Sequence, residues 1–256
     1  MNPKISIVTV TYNCQDKIES TIKSIINQTY ENIEYIIVDG KSSDRTCEII
    51  NLYKDKIKVF VSEPDKGIYD AMNKAATLAS GEYINFMNAG DTLFNEYVID
   101  DIFGKENGDY DVIAGQSEVD FDDFKTVSGN SHPSIRRPMS FNHQAVFLKL
   151  ELMTKYKFDL NYKYCADRDL FARLFKGKDI VYSIPDLKIA RIEAIGFSSS
   201  NAFECGKEGL LVLKNNNCIT PFEYYFRMMF ISLKELIRIF IPKSKLKYIY
   251  KLKSFL

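Results

Sequence analysis

Polar residues follow directly on short apolar runs at four places. Thr11-Tyr12-Asn13 follow Ile5 to Val10, Asp39 follows Glu34 to Val38, Glu63 and Asp65 follow Ile57 to Val61, and Asn88 with Asp91 follow Tyr83 to Phe86. Runs of β-branched and aromatic residues bounded in this way are strands, and a side chain just past the carboxyl end of such a strand lies where open α/β sheets take their ligands. Any one of these residues alone would be ordinary helix-capping chemistry. Four in succession, bringing hydroxyl, phenol, carboxylate and amide groups to one rim, predict a site for a polar ligand.

Further along, Asp167 opens a stretch in which Leu170, Phe171, Leu174 and Phe175 share a helical face. A carboxylate at a helix start is held firmly and kept ionised by the helix dipole, so one residue can be both an N-cap and a general base. His132, Arg136, Arg137, His143 and Gln144 surround Pro133 and Pro138 before the next strand. They are either a contact for a second substrate or a solvated loop. Cys14, Cys47, Cys165, Cys205 and Cys218 form no C-x-x-C pair and no cluster with the two histidines, which excludes a structural zinc site. Scattered and odd in number, they are expected to be reduced thiols.

The elements that must position these groups alternate. After each of the first three strands, apolar residues take up helical spacing: Ile18, Ile22, Ile25 and Ile26; then Cys47, Ile49, Ile50 and Tyr53; then a helix from about Ile68 to Ala79. Strand–helix alternation of this kind predicts a doubly wound, largely parallel sheet. The second half is less regular. Val112 to Gly115, Ala145 to Leu148, Ile180 to Ile184 and Leu187 to Ile192 read as strands, Ser117 to Ser128 as a hairpin or an excursion over the site, and the chain from about Ser199 onward as helical.

In order and spacing, Val10-Thr11-Tyr12-Asn13, Val38-Asp39-Gly40, Ser62-Glu63-Pro64-Asp65-Lys66-Gly67 and Phe86-Met87-Asn88-Ala89-Gly90-Asp91 resemble the successive motifs of family 2 glycosyltransferases. The branch they resemble builds bacterial surface polysaccharides of the colanic acid and amylovoran type. The resemblance spans about residues 3–200. It implies a GT-A fold, a Rossmann-like and mostly parallel sheet with helices on both faces, followed here by a helical C-terminal extension. The implied organisation is a nucleotide-sugar half over about residues 1–115, an acceptor half over about 116–200, and a tail from 201 to 256.

The resemblance also implies roles. Thr11, Tyr12 and Asp39 would meet the nucleotide, Tyr12 as a flat contact and Asp39 as an acceptor from a pyrimidine ring. Asp65 and Lys66 would hold sugar hydroxyls or phosphate. Where family members carry Asp-x-Asp, this chain has Asn88-Ala89-Gly90-Asp91, so Asp91 is the expected ligand of Mn2+ or Mg2+ and Asn88 a neutral donor contact. Tyr164-Cys165-Ala166-Asp167-Arg168-Asp169-Leu170 resembles the Glu-Asp-x-Asp-Leu segment, which makes Asp167 the base and loses the preceding acid to Ala166. His143 and Gln144 match a His-Gln segment near the acceptor or the departing phosphate. An Ala-Arg-Asn triplet of the family reads Ala71-Met72-Asn73 here.

Composition sets the remaining bounds. The 256 residues include 34 basic and 34 acidic side chains, so no global field points to nucleic acid. The charge is uneven: after Thr220 eight basic residues face Glu223 and Glu235, leaving +6 there and −6 in the residues before. That segment interleaves aromatic residues with Arg227, Lys234 and Arg238 and ends in Lys243, Lys245, Lys247, Lys251 and Lys253. The pattern suits a helix on an anionic membrane surface, with a lid or dimer contact as the alternative. Ile5 to Val10 is too short for a signal peptide core, and no uncharged apolar stretch reaches the ~18 residues of a spanning helix. The expectation is a cytoplasmic enzyme, peripheral on the inner face of the plasma membrane, moving sugar from a nucleotide donor to a lipid-linked or oligosaccharide acceptor. Two alternatives stay open at this point: a sugar-phosphate nucleotidyltransferase and a non-catalytic nucleotide-sugar binder.

Overall fold

The computed structural model describes residues 2–104, 108–121, 124–129, 131–134, 136–177, 180–194 and 201–239. Strand β1 (Ile5–Thr11) is buried along its whole length and organises two cores. Because successive side chains of a strand point to opposite faces, Val8 and Val10 enter one cluster with Tyr69, Met72 and Ala75, while Ile5 and Ile7 enter another with Ile18, Ile22 and Ile25. Helix α1 (Ile18–Ile26) therefore covers one face of the sheet and α3 (Ile68–Leu78) the other.

The main sheet has seven strands. With β2 (Ile33–Asp39), β3 (Val59–Ser62), β4 (Tyr83–Phe86), β6 (Val112–Ala114), β9 (Val146–Lys149) and β10 (Tyr182–Ser183), its order is β10-β6-β9-β4-β1-β2-β3. All pairings are parallel except those of β9, which runs antiparallel to both β4 and β6. Helices α2 (Thr46–Asn51), α4 (Val98–Phe103), α5 (Leu150–Tyr156) and α6 (Ala166–Lys176) complete the layers. A second sheet, β5-β11-β7-β8, is built from Thr92–Leu93, Lys188–Glu193, Gln116–Asp120 and Lys125–Ser128. The segment read as a hairpin or an excursion is thus the β7–β8 hairpin.

At the amino-terminal edge of the sheet, a buried carboxylate ties three segments together. Glu34 accepts from Lys4 Nζ at 2.7 Å, Ser6 Oγ at 2.6 Å, Ser80 Oγ at 2.8 Å and the Gly81 N–H at 3.0 Å. Burial opposes its ionisation, but these donors outweigh it and hold the carboxyl at about 2. Its folded value lies below the ordinary one, so its stabilisation is present above ~4.3, the value expected in the unfolded chain, and is lost as pH falls through about 2. Glu34→Ala takes the acceptor from the Ser6 hydroxyl, the Ser80 hydroxyl and the Ser80 N–H, while the Gly81 N–H keeps its bond to Ser6 Oγ, and should destabilise the protein by about 3 kcal/mol, read from the urea midpoint at neutral pH. A loss under about 1 kcal/mol would mean that water satisfies the vacated donors.

The C-terminal segment does not behave as one tail. Helix α7 (Ala202–Asn215) packs on α6, with Val212 in the same core as Val8 and Phe86. Helix α8 (Pro221–Ile239) turns Tyr224, Met228 and Ile231 toward Ala172, Leu210 and Leu213. It leaves Phe222, Tyr225, Phe226, Met229, Phe230, Leu233 and Leu236 between 44% and 78% exposed. The basic run from Lys243 to Lys253 lies outside the described residues.

Candidate active site

The polar rim forms as two adjoining clusters. The first gathers where β1 and β2 end. Tyr12 stands 62% exposed, and Gly40 sits between it and Asp65: a Cβ at Gly40 would come within 2.5 Å of Asp65 Oδ2 and 3.4 Å of the Tyr12 ring. Only glycine leaves that slot open between a flat ring and a carboxylate. Thr11 Oγ1 is buried beside it without a hydrogen-bond partner. Asp39 lies beneath the slot, fully buried, and accepts from the Ser42 N–H at 2.9 Å, the Ser62 hydroxyl at 2.6 Å and the Ser42 hydroxyl. Burial opposes its ionisation, yet these bonds hold the carboxyl below the usual range. Its immediate effect is to shape the loop after β2. Lys66 is exposed at the outer rim, where its backbone N–H bonds Asp70 at 2.9 Å.

The second cluster is a continuous hydrogen-bonded row. The turn Asn88-Ala89-Gly90-Asp91 is pinned to α1, since Thr21 Oγ1 receives the Gly90 N–H at 3.0 Å and donates to the Asp91 carbonyl at 2.8 Å. Gly90 has φ +103°, in the left-handed region that favours glycine. Gln144 Nε2 donates to Asp91 Oδ2 at 2.8 Å. Asn88 Nδ2 lies 3.0 Å from His143 Nε2, and His143 Nδ1 lies 3.3 Å from Asp167 Oδ2. With the Asn88 amide donating to Nε2, the imidazole proton resides on Nδ1 and faces Asp167. Tyr69 OH donates to Asp167 Oδ1 at 3.2 Å and to the Tyr164 carbonyl at 3.0 Å. Asp91, Asn88, Gln144, His143 and Asp167 are therefore brought together from three separate segments. Asp169 is turned away, buried against Arg173 at 2.7 Å and Asn216 at 2.7 Å.

The two carboxyls of the row differ electrostatically. Burial pushes Asp91 up to about 6, with Gln144 opposing. Burial also acts on Asp167, but the His143 contact and the Arg168 N–H outweigh it and keep that carboxyl below the usual range. Asp167 is thus ionised at neutral pH, with its side chain still 16% exposed. Asn88 Oδ1 is buried with no partner. An orphaned amide oxygen in the same turn as a carboxylate whose burial is only partly compensated makes a hard-oxygen pair suited to a divalent cation. No group of three or more His, Cys, Asp and Glu side chains among the described residues is arranged to hold a metal, so most remaining ligands would come from phosphate and water.

Residues 6–166 match the sequence family described as Glycosyl transferase family 2. The chain belongs to glycosyltransferase family 2. The glycosyltransferase is 26% identical over 200 residues to a PGL/p-HBAD biosynthesis glycosyltransferase of Mycobacterium bovis, an alignment covering 76% of this chain and 78% of the relative. A shorter stretch of 88 residues, 34% of this chain and 35% of the relative, is 43% identical to the Escherichia coli UDP-Glc:alpha-D-GlcNAc-diphosphoundecaprenol beta-1,3-glucosyltransferase WfaP. Among solved structures, S. aureus TarS 1-349 in complex with UDP-GlcNAc superposes with a TM-score of 0.65 at 16% identity over 88% of this chain and 70% of that one. A mannosyltransferase of Pyrobaculum calidifontis in complex with GDP-Man and Mn2+ superposes with a TM-score of 0.66 at 12% identity, over 100% and 81%. These likenesses establish the GT-A fold.

Three groups at the site of the glycosyltransferase escaped the sequence reading. Tyr69 falls within the expected helix from about Ile68 to Ala79, but its hydroxyl bonds to Asp167. Lys17 and Glu193 form an ion pair beside Asp91, with the Lys17 stem over Gly90. Glu208 on α7 accepts the backbone N–H groups of Lys163, Tyr164 and Cys165. Nothing in their sequence neighbourhoods marks Glu193 or Glu208 as near the rim.

Proposed function

We propose that this glycosyltransferase transfers a sugar, with inversion, from a UDP-sugar to a saccharide carried on a membrane lipid in surface-polysaccharide synthesis. The observation that carries this reading is the row Asn88–His143–Asp167 beside Asp91, which sets an ionised carboxylate and a cation-type oxygen pair on one rim. Tyr12, Gly40 and Asp65 take the nucleotide end of the donor, with Thr11 Oγ1 free to receive a hydrogen bond from it. Asn88 and Asp91 would hold Mn2+ or Mg2+, which would supply positive charge against the departing diphosphate. Asp167 receives the proton of the attacking hydroxyl, while His143 Nδ1–H and Tyr69 OH keep its carboxylate aimed. Gln144 holds Asp91 in place.

Two observations support a lipid-linked acceptor. The name of WfaP specifies a diphosphoundecaprenol acceptor. Exposed Phe222, Tyr225, Phe226, Met229, Phe230 and Leu233 recur at helical spacing along α8, the pattern of a helix lying in a membrane surface. Among the described residues no helix is long and apolar enough to cross a membrane. Arg136 pairs with Glu223 at 3.0 Å, linking α8 to the loop that leads to His143. Full-length protein should bind anionic vesicles and lose part of that binding in high salt, because lysine attraction is screened over about 8–10 Å while apolar insertion is not. Truncation after Thr220 should abolish vesicle binding and leave UDP binding within twofold. Vesicle binding that survives truncation would assign membrane contact elsewhere.

The transfer itself is tested by UDP release from UDP-glucose, UDP-galactose and UDP-N-acetylhexosamines with Mn2+ and a polyprenyl-diphosphate-linked monosaccharide. One donor should give acceptor-dependent UDP release and a product of inverted anomeric configuration. Absence of release with every donor, or a retained configuration, would reject the proposal.

A further inference from the structure

The site as drawn from the family-like region ends at α6, yet the loop that carries Asp167 into place is held from outside that region. Residues 163–165 lead directly into α6, and their three consecutive N–H groups converge on one carboxylate. Glu208 Oε2 accepts from Lys163 at 3.0 Å, and Oε1 accepts from Tyr164 at 2.6 Å and Cys165 at 2.7 Å. Helix α7 approaches closely enough that a Cβ on Gly209 would lie 2.3 Å from Arg168 Nη1, and Cys205 Sγ rests 3.5 Å from Cys165 Sγ. Three successive positions of one helical face, at 205, 208 and 209, thus clasp the start of α6.

The peptide so held is also part of the Asp167 environment. The Tyr164 carbonyl receives the Tyr69 hydroxyl at 3.0 Å, and the same hydroxyl reaches Asp167 Oδ1 at 3.2 Å. Moving the peptide therefore moves both the partner that orients Tyr69 and the first turn from which Asp167 projects toward His143. We propose that Glu208 is a positioning residue for Asp167: by fixing peptide 163–165 it keeps the carboxylate in register with His143 and Tyr69. The inference rests on Asp167 being the base, and it makes α7, which lies beyond residues 6–166, a working part of the site.

The chain has only two histidines, His132 and His143, so their side-chain nitrogen signals are assignable by NMR with one His132→Gln variant. In wild-type protein His143 should show a single tautomer protonated at Nδ1. In Glu208→Ala that signal should shift toward exchange between the two tautomers, turnover should fall about 30-fold, on the scale of a misplaced catalytic group, and UDP binding should stay within twofold. Glu208→Gln keeps an oxygen for Tyr164 and Cys165 but turns an NH2 toward the Lys163 N–H, and should recover part of both the turnover and the His143 signal relative to Glu208→Ala. An unchanged His143 spectrum in folded Glu208→Ala protein would overturn the proposal. So would a folded Glu208→Ala variant whose turnover stays within twofold of wild type. If Asp167 is not the base, Asp167→Asn retains turnover while the Glu208-dependent His143 signal persists, so the two failures are distinguishable.

Discussion

Asp167→Asn should lower turnover by about a hundredfold or more while UDP and Mn2+ bind as in wild-type protein; that magnitude is the usual scale for a lost general base. The substitution preserves shape. An asparagine there can still accept from Tyr69 and the Arg168 N–H through its amide oxygen, so the start of α6 keeps its local structure. What it loses is a carboxylate that burial alone would neutralise and that His143 holds in its charged form. The cap position is in fact held by Cys165, with Asp167 the second residue of α6; if Asp167 only held that first turn through the Arg168 N–H, asparagine would keep the bond and leave turnover unchanged. Steady-state turnover measured beside a UDP titration separates the cases. Unchanged turnover would move the base elsewhere.

Asp91→Asn acts on the other half of the reaction. It should weaken Mn2+-dependent UDP binding by at least tenfold, corresponding to about 1.4 kcal/mol, with the melting temperature in the absence of ligand unchanged or raised. The ligand-free protein gains because Asp91 is a carboxylate whose burial is poorly compensated, as its displacement to about 6 records. The same displacement sets a pH dependence. Below about 6 the carboxyl carries a proton and offers a poor ligand, so metal-dependent UDP binding should be present at pH 7.5 and fall as pH drops through 6, whereas metal-independent contacts at Tyr12 and Asp65 should not follow it. Isothermal titration of UDP with and without Mn2+ across that range checks both statements. Equal affinity for wild type and Asp91→Asn in Mn2+ would remove the metal assignment.

Much of the fold is written locally. Ile5 to Val10 has the continuous β-branched character of a strand covered on both faces, and Val8 and Ile7 indeed enter different cores. The Ile18, Ile22, Ile25 spacing gives α1, and the polar residues after β1, β2 and β4 reach one rim because parallel strands present their carboxyl ends together. Other features depend on distant partners. The insertion of β9 between β4 and β6 in the opposite direction has no local mark, since Val146 to Leu148 would suit a buried strand of either sense.

The site divides the same way. Asp91, Asn88, His143, Gln144 and Asp167 stand out by type and position, and they meet in one hydrogen-bonded row. Their mutual roles were not legible: that Gln144 reaches Asp91 while His143 faces the other way, to Asp167, follows from the tight turn at residues 143–145. Asp39 stands out equally in sequence, yet its carboxylate is taken up by Ser42 and Ser62, partners three and 23 residues away. Glu208 lies on a helix whose amphipathic pattern is ordinary, and only its packing against residues 163–165 reveals a task. The tail was read as one unit because its helical character runs on from about Ser199, but α7 buries Leu210, Val212 and Leu213 while α8 keeps a broad apolar face outward.

The central claim is that nucleotide and metal meet at the carboxyl ends of β1, β2 and β4, with Asp91 as the protein's anionic ligand. Crystals grown with UDP and Mn2+, measured at a wavelength where manganese scatters anomalously, test this directly. The account predicts a single strong peak within coordinating distance of Asp91, about 2.1 Å, beside Asn88 and in contact with the diphosphate, with the uracil against Tyr12. A manganese peak on other side chains, or UDP bound at this rim with no metal at Asp91, would contradict it.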